Sequence, residues 1–88
     1  TYNIPVTYHD CTGPLTLYAG VQMAVASTNV VYQESVRAHI RVIYNSLIDN
    51  NLVIKNGSVA APEQPGIGTS FLPSLFEGNK YQYRASCL

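Results

Sequence analysis

The chain has 88 residues, zero formal net charge and only 11% charged residues, against roughly 25% in an average soluble domain. Its five Lys and Arg are scattered from Arg37 to Arg84, which argues against a basic nucleic-acid surface or a polybasic membrane surface, and no apolar run approaches the roughly 20 residues that span a bilayer. Two cysteines, Cys11 and Cys87, make neither a disulfide framework nor a four-cysteine zinc site, and both are expected to be free thiols in a reducing, cytoplasmic setting.

A domain this short buries a modest core. With so little charge and seven tyrosines, part of its surface is expected to lie against other protein, the rings buried and the hydroxyls seeking partners. Ile4 to Tyr8 is an apolar, β-branched run with Pro5 near its start, where proline is tolerated in a strand. His9-Asp10-Cys11-Thr12-Gly13 interrupts it. Thr12 or Gly13 suits a helix cap and Pro14 the first helical turn, so a helix is expected over Leu15 to Ser27. That segment is apolar on most sides, the pattern of a buried helix, with Met23 as a core gap-filler. Val30 to Gln33 reads as the next strand, closed by Glu34.

Residues 4–34 therefore read as one strand–helix–strand unit of 31 residues with parallel strands, which makes the fold class α/β. Two parallel strands do not form a stable sheet alone, so neighbouring strands are expected from elsewhere. Arg37 to Ile48 fits a second helix, stopped by Asp49-Asn50-Asn51. Asn56-Gly57 lies between the apolar runs Leu52 to Lys55 and Ser58 to Ala61, the strongest short hairpin signal. A turn region follows over Pro62 to Gly68, then one helical turn within Phe71 to Phe76 and a terminal strand over Lys80 to Arg84. Gly66-Ile67-Gly68 lacks the flanking strand and helix of a dinucleotide fingerprint.

The residues that carry chemistry are His9 and Glu34. Each directly follows a strand, so a parallel arrangement puts both at the carboxyl edge, where α/β folds place ligands. Adjacent strands lie about 4.8 Å apart, close enough for both side chains to reach one small molecule. Imidazole moves protons near neutral pH; a carboxyl group hydrogen-bonds an oxygen when protonated or holds a cation when ionised. The plainer alternative is a His-Asp pair whose aspartate caps the next helix, and a glutamate that is an ordinary surface residue. Arg37 could pair with Glu34 or with a ligand, and His39 reads as a surface or packing residue.

His9-Asp10-Cys11-Thr12-Gly13-Pro14 resembles the "H-x-P-x-G-P" segment at the seventh barrel strand of galactonate-dehydratase-like members of the mandelate racemase / muconate lactonizing family. Asn29-Val30-Val31-Tyr32-Gln33-Glu34 is similar to their "N-x-x-x-Q-E" at the eighth strand, and the 25-residue separation of His9 and Glu34 agrees. Asn56-Gly57 and Ala61 to Gly68 resemble the family's Gly/Pro-rich tail.

The resemblance implies that residues 1–48 are the last two strands, with their helices, of a (β/α) TIM-type barrel, and that residues 49–88 are a tail packing back on the barrel and capping region. It implies a Mg²⁺-dependent acid-sugar dehydratase with His9 as general acid/base and Glu34 hydrogen-bonding the substrate carboxylate or enediolate oxygen. The Mg²⁺ ligands and the capping domain would lie outside these 88 residues, and a homo-oligomer is expected. Asp10 and Cys11 stand where the commoner motif has "x-P", which leaves the substrate open. Alternatives are a racemase, epimerase or cycloisomerase of the same superfamily, or a non-catalytic fragment that associates through its strand edge.

Overall fold

The structure is a computed structural model that describes residues 3–78, 82 and 84–86. Its elements, in chain order, are β1 (Val6–Tyr8), α1 (Pro14–Ala26), β2 (Val30–Gln33), α2 (Arg37–Val42), a 3-10 turn (Tyr44–Ser46), β3 (Ile54–Lys55), β4 (Ser58–Val59) and a second 3-10 turn (Pro73–Phe76). β1 and β2 pair in parallel, and β3 and β4 form a separate antiparallel hairpin. The expected strand–helix–strand order is therefore present, with α1 as the crossover.

β1 begins at Val6 rather than Ile4, because Pro5 has no N–H to enter a ladder. Asn29 fixes that start instead: its Nδ2 donates to the Ile4 carbonyl at 2.8 Å, and its own carbonyl accepts the Val6 N–H at 2.9 Å. The parallel register is interrupted once. Val6 faces Val30, but Thr7 faces Tyr32 and Tyr8 faces Gln33. Val31 is thus an extra residue in β2, a β-bulge that advances every later pairing by one position.

Pro14 opens α1 and Gly13 is its N-cap, without a side-chain cap bond, so Thr12 does not cap the helix. Instead Asp10 Oδ1 accepts the N–H groups of Thr12 and Gly13 at 3.2 and 3.4 Å and holds the turn that leads into it. Of the helix's many apolar residues, Leu17, Tyr18 and Val21 form the buried stripe. Leu17 and Val21 pack with Ile40 of α2 and with Tyr44, and Leu52 and Val59 close over them. Burying one such side chain is worth about 1.5–3 kcal/mol. Met23 lies on the other side of α1 and is 54% exposed. The core role expected of it is not met among the described residues, where the apolar core gathers on the Leu17–Val21 stripe.

α2 stops at Val42, six residues short of the expected end. Two β-branched residues, Val42 and Ile43, lead into Asn45-Ser46, and Ser46 Oγ donates to the Ile43 carbonyl at 2.7 Å. Such local bonding competes with the helical ladder, and a 3-10 turn results. Asn56 and Gly57 both have positive φ, 52° and 73°, the backbone demanded by a two-residue type I′ hairpin. The hairpin is present with two-residue arms, shorter than the expected ones. The expected terminal strand over Lys80 to Arg84 falls largely on residues outside the described set.

Residues 47–72 return to α1 through polar contacts. Ile48 bridges Phe71, the Leu72 N–H donates to the Leu47 carbonyl at 2.9 Å and the Asp49 N–H to the Ser70 carbonyl at 3.0 Å. From α1, the Tyr18 hydroxyl donates to the Asn50 carbonyl and Gln22 Nε2 to the Pro62 carbonyl at 3.1 Å. Gly68 is buried at φ 95°, and a Cβ there would overlap Pro62, so this close approach requires glycine.

Candidate active site

The site is built from the backbone outward. The Glu34 N–H donates to the Tyr8 carbonyl at 2.7 Å, extending the β1–β2 ladder one step past Gln33. His9 and Glu34 consequently stand side by side at the carboxyl edge. The bulge at Val31 brings this about. Without it Tyr8 would face Tyr32, and His9 would face Gln33 in place of Glu34.

The side chains meet. His9 Nδ1 lies 2.5 Å from Glu34 Oε2, and His9 Nε2 lies 3.2 Å from Cys11 Sγ. The His9 and Glu34 side chains are 61% and 59% exposed within these 88 residues. Glu34 raises the His9 pKa above 6.5, first by its hydrogen bond and then by its charge. Glu34 therefore spends one oxygen on His9, and the pairing with Arg37 considered above is not the one formed.

Asp10 has a different role from that of a helix cap. It is 1% exposed, and beyond the Thr12 and Gly13 bonds its Oδ2 has no partner among the described residues. The Tyr44 hydroxyl is buried nearby, also without an aligned hydrogen bond. Burial first, and then the Asp10 carboxylate, push the Tyr44 phenol up to about 12. Tyr44 also carries the His39 ring at 5.9 Å, tilted by 51°, which makes His39 a packing residue.

Two contributors were not singled out by sequence. Gln33 Nε2 donates to the Glu34 carbonyl at 2.8 Å and approaches the Tyr8 carbonyl at 3.5 Å, tying the two strand ends together. A Cβ on Gly20 would overlap the Gln33 side chain, so glycine in α1 makes room for this brace. The second is Cys11, an exposed free thiol beside the imidazole. Its adjacency follows from a spacing of two residues after a strand end, a signal too common to single out a site. Cys87 lies outside the described residues.

Among the described residues, no group of three or more His, Cys, Asp or Glu is placed to hold a metal ion, and no helix is long and apolar enough to cross a membrane. Such a pair is suited to proton transfer: with Nδ1 engaged by Glu34, Nε2 is the ring nitrogen left to exchange a proton with a ligand.

Over residues 1–74 the chain matches the family described as enolase C-terminal domain-like. Among solved structures it is similar to an enolase of the mandelate racemase subgroup from Agrobacterium tumefaciens with a succinimide residue, at 32% identity and TM-score 0.73, covering 86% of this chain and 20% of that one. A further structure of an Agrobacterium tumefaciens enolase of that subgroup, with sodium and phosphate as well, gives 33% identity and TM-score 0.77 over the same shares. An enolase protein from environmental shotgun sequencing of the Sargasso Sea gives 39% identity and TM-score 0.72, covering 81% of this chain and 19% of that one. No curated protein matches. The chain thus spans about a fifth of the length of the solved structures it resembles. With the family match running through both strand ends, the core and the tail, the chain belongs to the enolase C-terminal domain-like family.

Proposed function

We propose that this chain supplies the seventh and eighth strands of a (β/α) TIM-type barrel in residues 1–48 and its C-terminal tail in residues 49–88, and that the whole protein is a galactonate-dehydratase-like, Mg²⁺-dependent acid-sugar dehydratase. The observation that carries this reading is the meeting of His9 and Glu34, 25 residues apart, at the carboxyl edge of a parallel strand pair. Catalytic groups of such barrels come from that edge.

His9 Nε2 takes the proton next to the substrate carboxylate and later returns a proton to the departing hydroxide, which leaves as water. Nδ1, held by Glu34, keeps the ring in one orientation through both steps. Glu34, when it carries a proton, hydrogen-bonds the substrate carboxylate or enediolate oxygen. A bound Mg²⁺ supplies charge stabilisation for that enediolate. His9 and Glu34 do not make its site, and no third acidic or thiol ligand joins them among the described residues; its ligands are assigned to the remainder of the barrel. That remainder, a capping domain, a second copy of the protein and a cytoplasmic setting complete the proposal.

The test is His9→Asn in the complete protein, assayed on a panel of acid sugars with Mg²⁺ for keto-acid formation. Removing a positioned acid/base group costs about 10²–10⁴ in rate, and that loss is expected with the fold intact by circular dichroism. Full activity in the variant overturns the role of His9. Solvent deuterium appearing in the substrate, with no keto acid formed, would assign racemisation or epimerisation, which begin with the same proton abstraction.

A further inference from the structure

Cys11, His9 and Glu34 form a chain of three side chains. Sγ stands 3.2 Å from Nε2 and Nδ1 stands 2.5 Å from Oε2. Thiol, imidazole and carboxylate in this order are the parts of an activated nucleophile: a base beside the thiol, and a third group that orients the base. The carboxylate fixes the tautomer, because Nδ1–H donates to Glu34 and leaves the Nε2 lone pair facing the S–H. Within these 88 residues the thiol is also exposed. Cys11 occupies the place that proline takes in the segment this stretch resembles, so the thiol is a feature of this chain.

We propose that Cys11 is a nucleophilic modification site, activated by His9 and Glu34, for carbon electrophiles of the α,β-unsaturated carbonyl class. The Cys11 S–H proton passes to His9 Nε2 as sulfur attacks the β-carbon and the S–C bond forms. The C=C electron pair moves onto the carbonyl as an enolate. His9 Nε2 then returns its proton to the α-carbon. The product is a thioether, nothing leaves, and the triad ends in its starting protonation state. The adduct sits against Nε2, the nitrogen through which His9 exchanges protons.

Glu34 raises the basicity of His9. Asp10 is buried beside the turn, and the Tyr44 phenol, pushed up to about 12, stays neutral. The decisive term is the 3.2 Å contact of sulfur with the base, because a proton acceptor within hydrogen-bond reach removes the need for a free thiolate.

The inference uses the residues of the proposed active site but not the proposed reaction, since thiol labelling is measured without substrate. The full-length protein is treated with N-ethylmaleimide at pH 7, and adducts at each cysteine are counted over time by peptide mass spectrometry. Cys11 is expected to label about tenfold faster in the native protein than in the same protein unfolded in denaturant, well inside the range of general-base assistance. His9→Gln should bring the native rate down to the unfolded one. Labelling of wild-type Cys11 no faster than in denaturant overturns the proposal without any variant, as does a fast rate that His9→Gln, shown to be folded by its melting curve, leaves unchanged. Fast labelling combined with no dehydratase activity would sink the proposed function and leave this one standing.

Discussion

In residues 6–34 a backbone ladder places the side chains, whereas in residues 47–72 side chains place the backbone. The first region has a parallel strand pair, one bulge and one helix, and its candidate site residues, His9 and Glu34, are more than half exposed at the strand ends. The second has little regular structure. Asn50 Nδ2 donates to Gly68 O and Gln64 Oε1, both at 2.8 Å, and Asp49 Oδ1 accepts the Ser70 N–H at 2.9 Å and the Thr69 hydroxyl at 3.1 Å. The contrast shows two ways to satisfy backbone groups: ladders leave side chains free for chemistry, and irregular segments consume polar side chains as structure. It offers a reason to look for chemistry at the strand ends of the first region, where His9 and Glu34 stand exposed, and for structure in the polar residues of the second.

The largest expected effect comes from the core that joins the two regions. Leu17 is 3% exposed and packs toward both α2 and the hairpin. Leu17→Ala should cost about 2–5 kcal/mol in the unfolding free energy of the full-length protein, measured by denaturant titration. A cost below about 1 kcal/mol would mean that the core is not shared. Asn50→Ala sharpens the comparison. It should cost about 1–3 kcal/mol through the carbonyl and amide left unpaired, while the His9 imidazole titrates as before. A shifted His9 would show that the tail also shapes the site.

The smallest effect is acid sensitivity at Asp49. The Ser70 N–H, first, and the Thr69 hydroxyl hold its carboxyl below the ordinary 3.8. A depressed folded value stabilises the protein above 3.8, and this contribution is lost as pH falls through the lower folded value. The melting temperatures of wild type and Asp49→Asn should therefore differ at neutral pH, with the gap closing only as pH falls below 3.8 through the lower folded value. A gap that persists in acid would remove the carboxylate from the explanation.

Much of the first region was legible in the residues. Apolar β-branched runs flanking a capped apolar segment identified the strand–helix–strand unit, and the placement of His9 and Glu34 after the two strands brought them to one edge. Asn56-Gly57 identified the hairpin because few other pairs adopt two consecutive positive φ values. The bulge was not legible, since Val31 looks like any other β-branched strand residue and only pairing reveals that it is extra. Met23 shows the reverse problem: composition around α1 predicts burial, but one chain covers only one stripe. The early end of α2 and the clamp around Asn50 depend on side-chain bonds in non-periodic segments, and no pattern of spacing announces those. Position alone offers Asp10 as a helix cap, one alternative for it; its burial and its neighbour Tyr44 come from a contact across more than thirty residues.

The central claim is that Glu34 holds and tunes His9. Its most direct test is the titration of the His9 imidazole by NMR in the full-length protein, wild type against Glu34→Gln. The account predicts a wild-type pKa above 6.5 that falls back toward 6.5 in the variant. In stability terms, the pair contributes fully below 6.5 while Glu34 stays ionised, and the contribution is lost as pH rises through the raised His9 value. A wild-type His9 that titrates at 6.5 or below, or one that Glu34→Gln leaves unmoved, would contradict it.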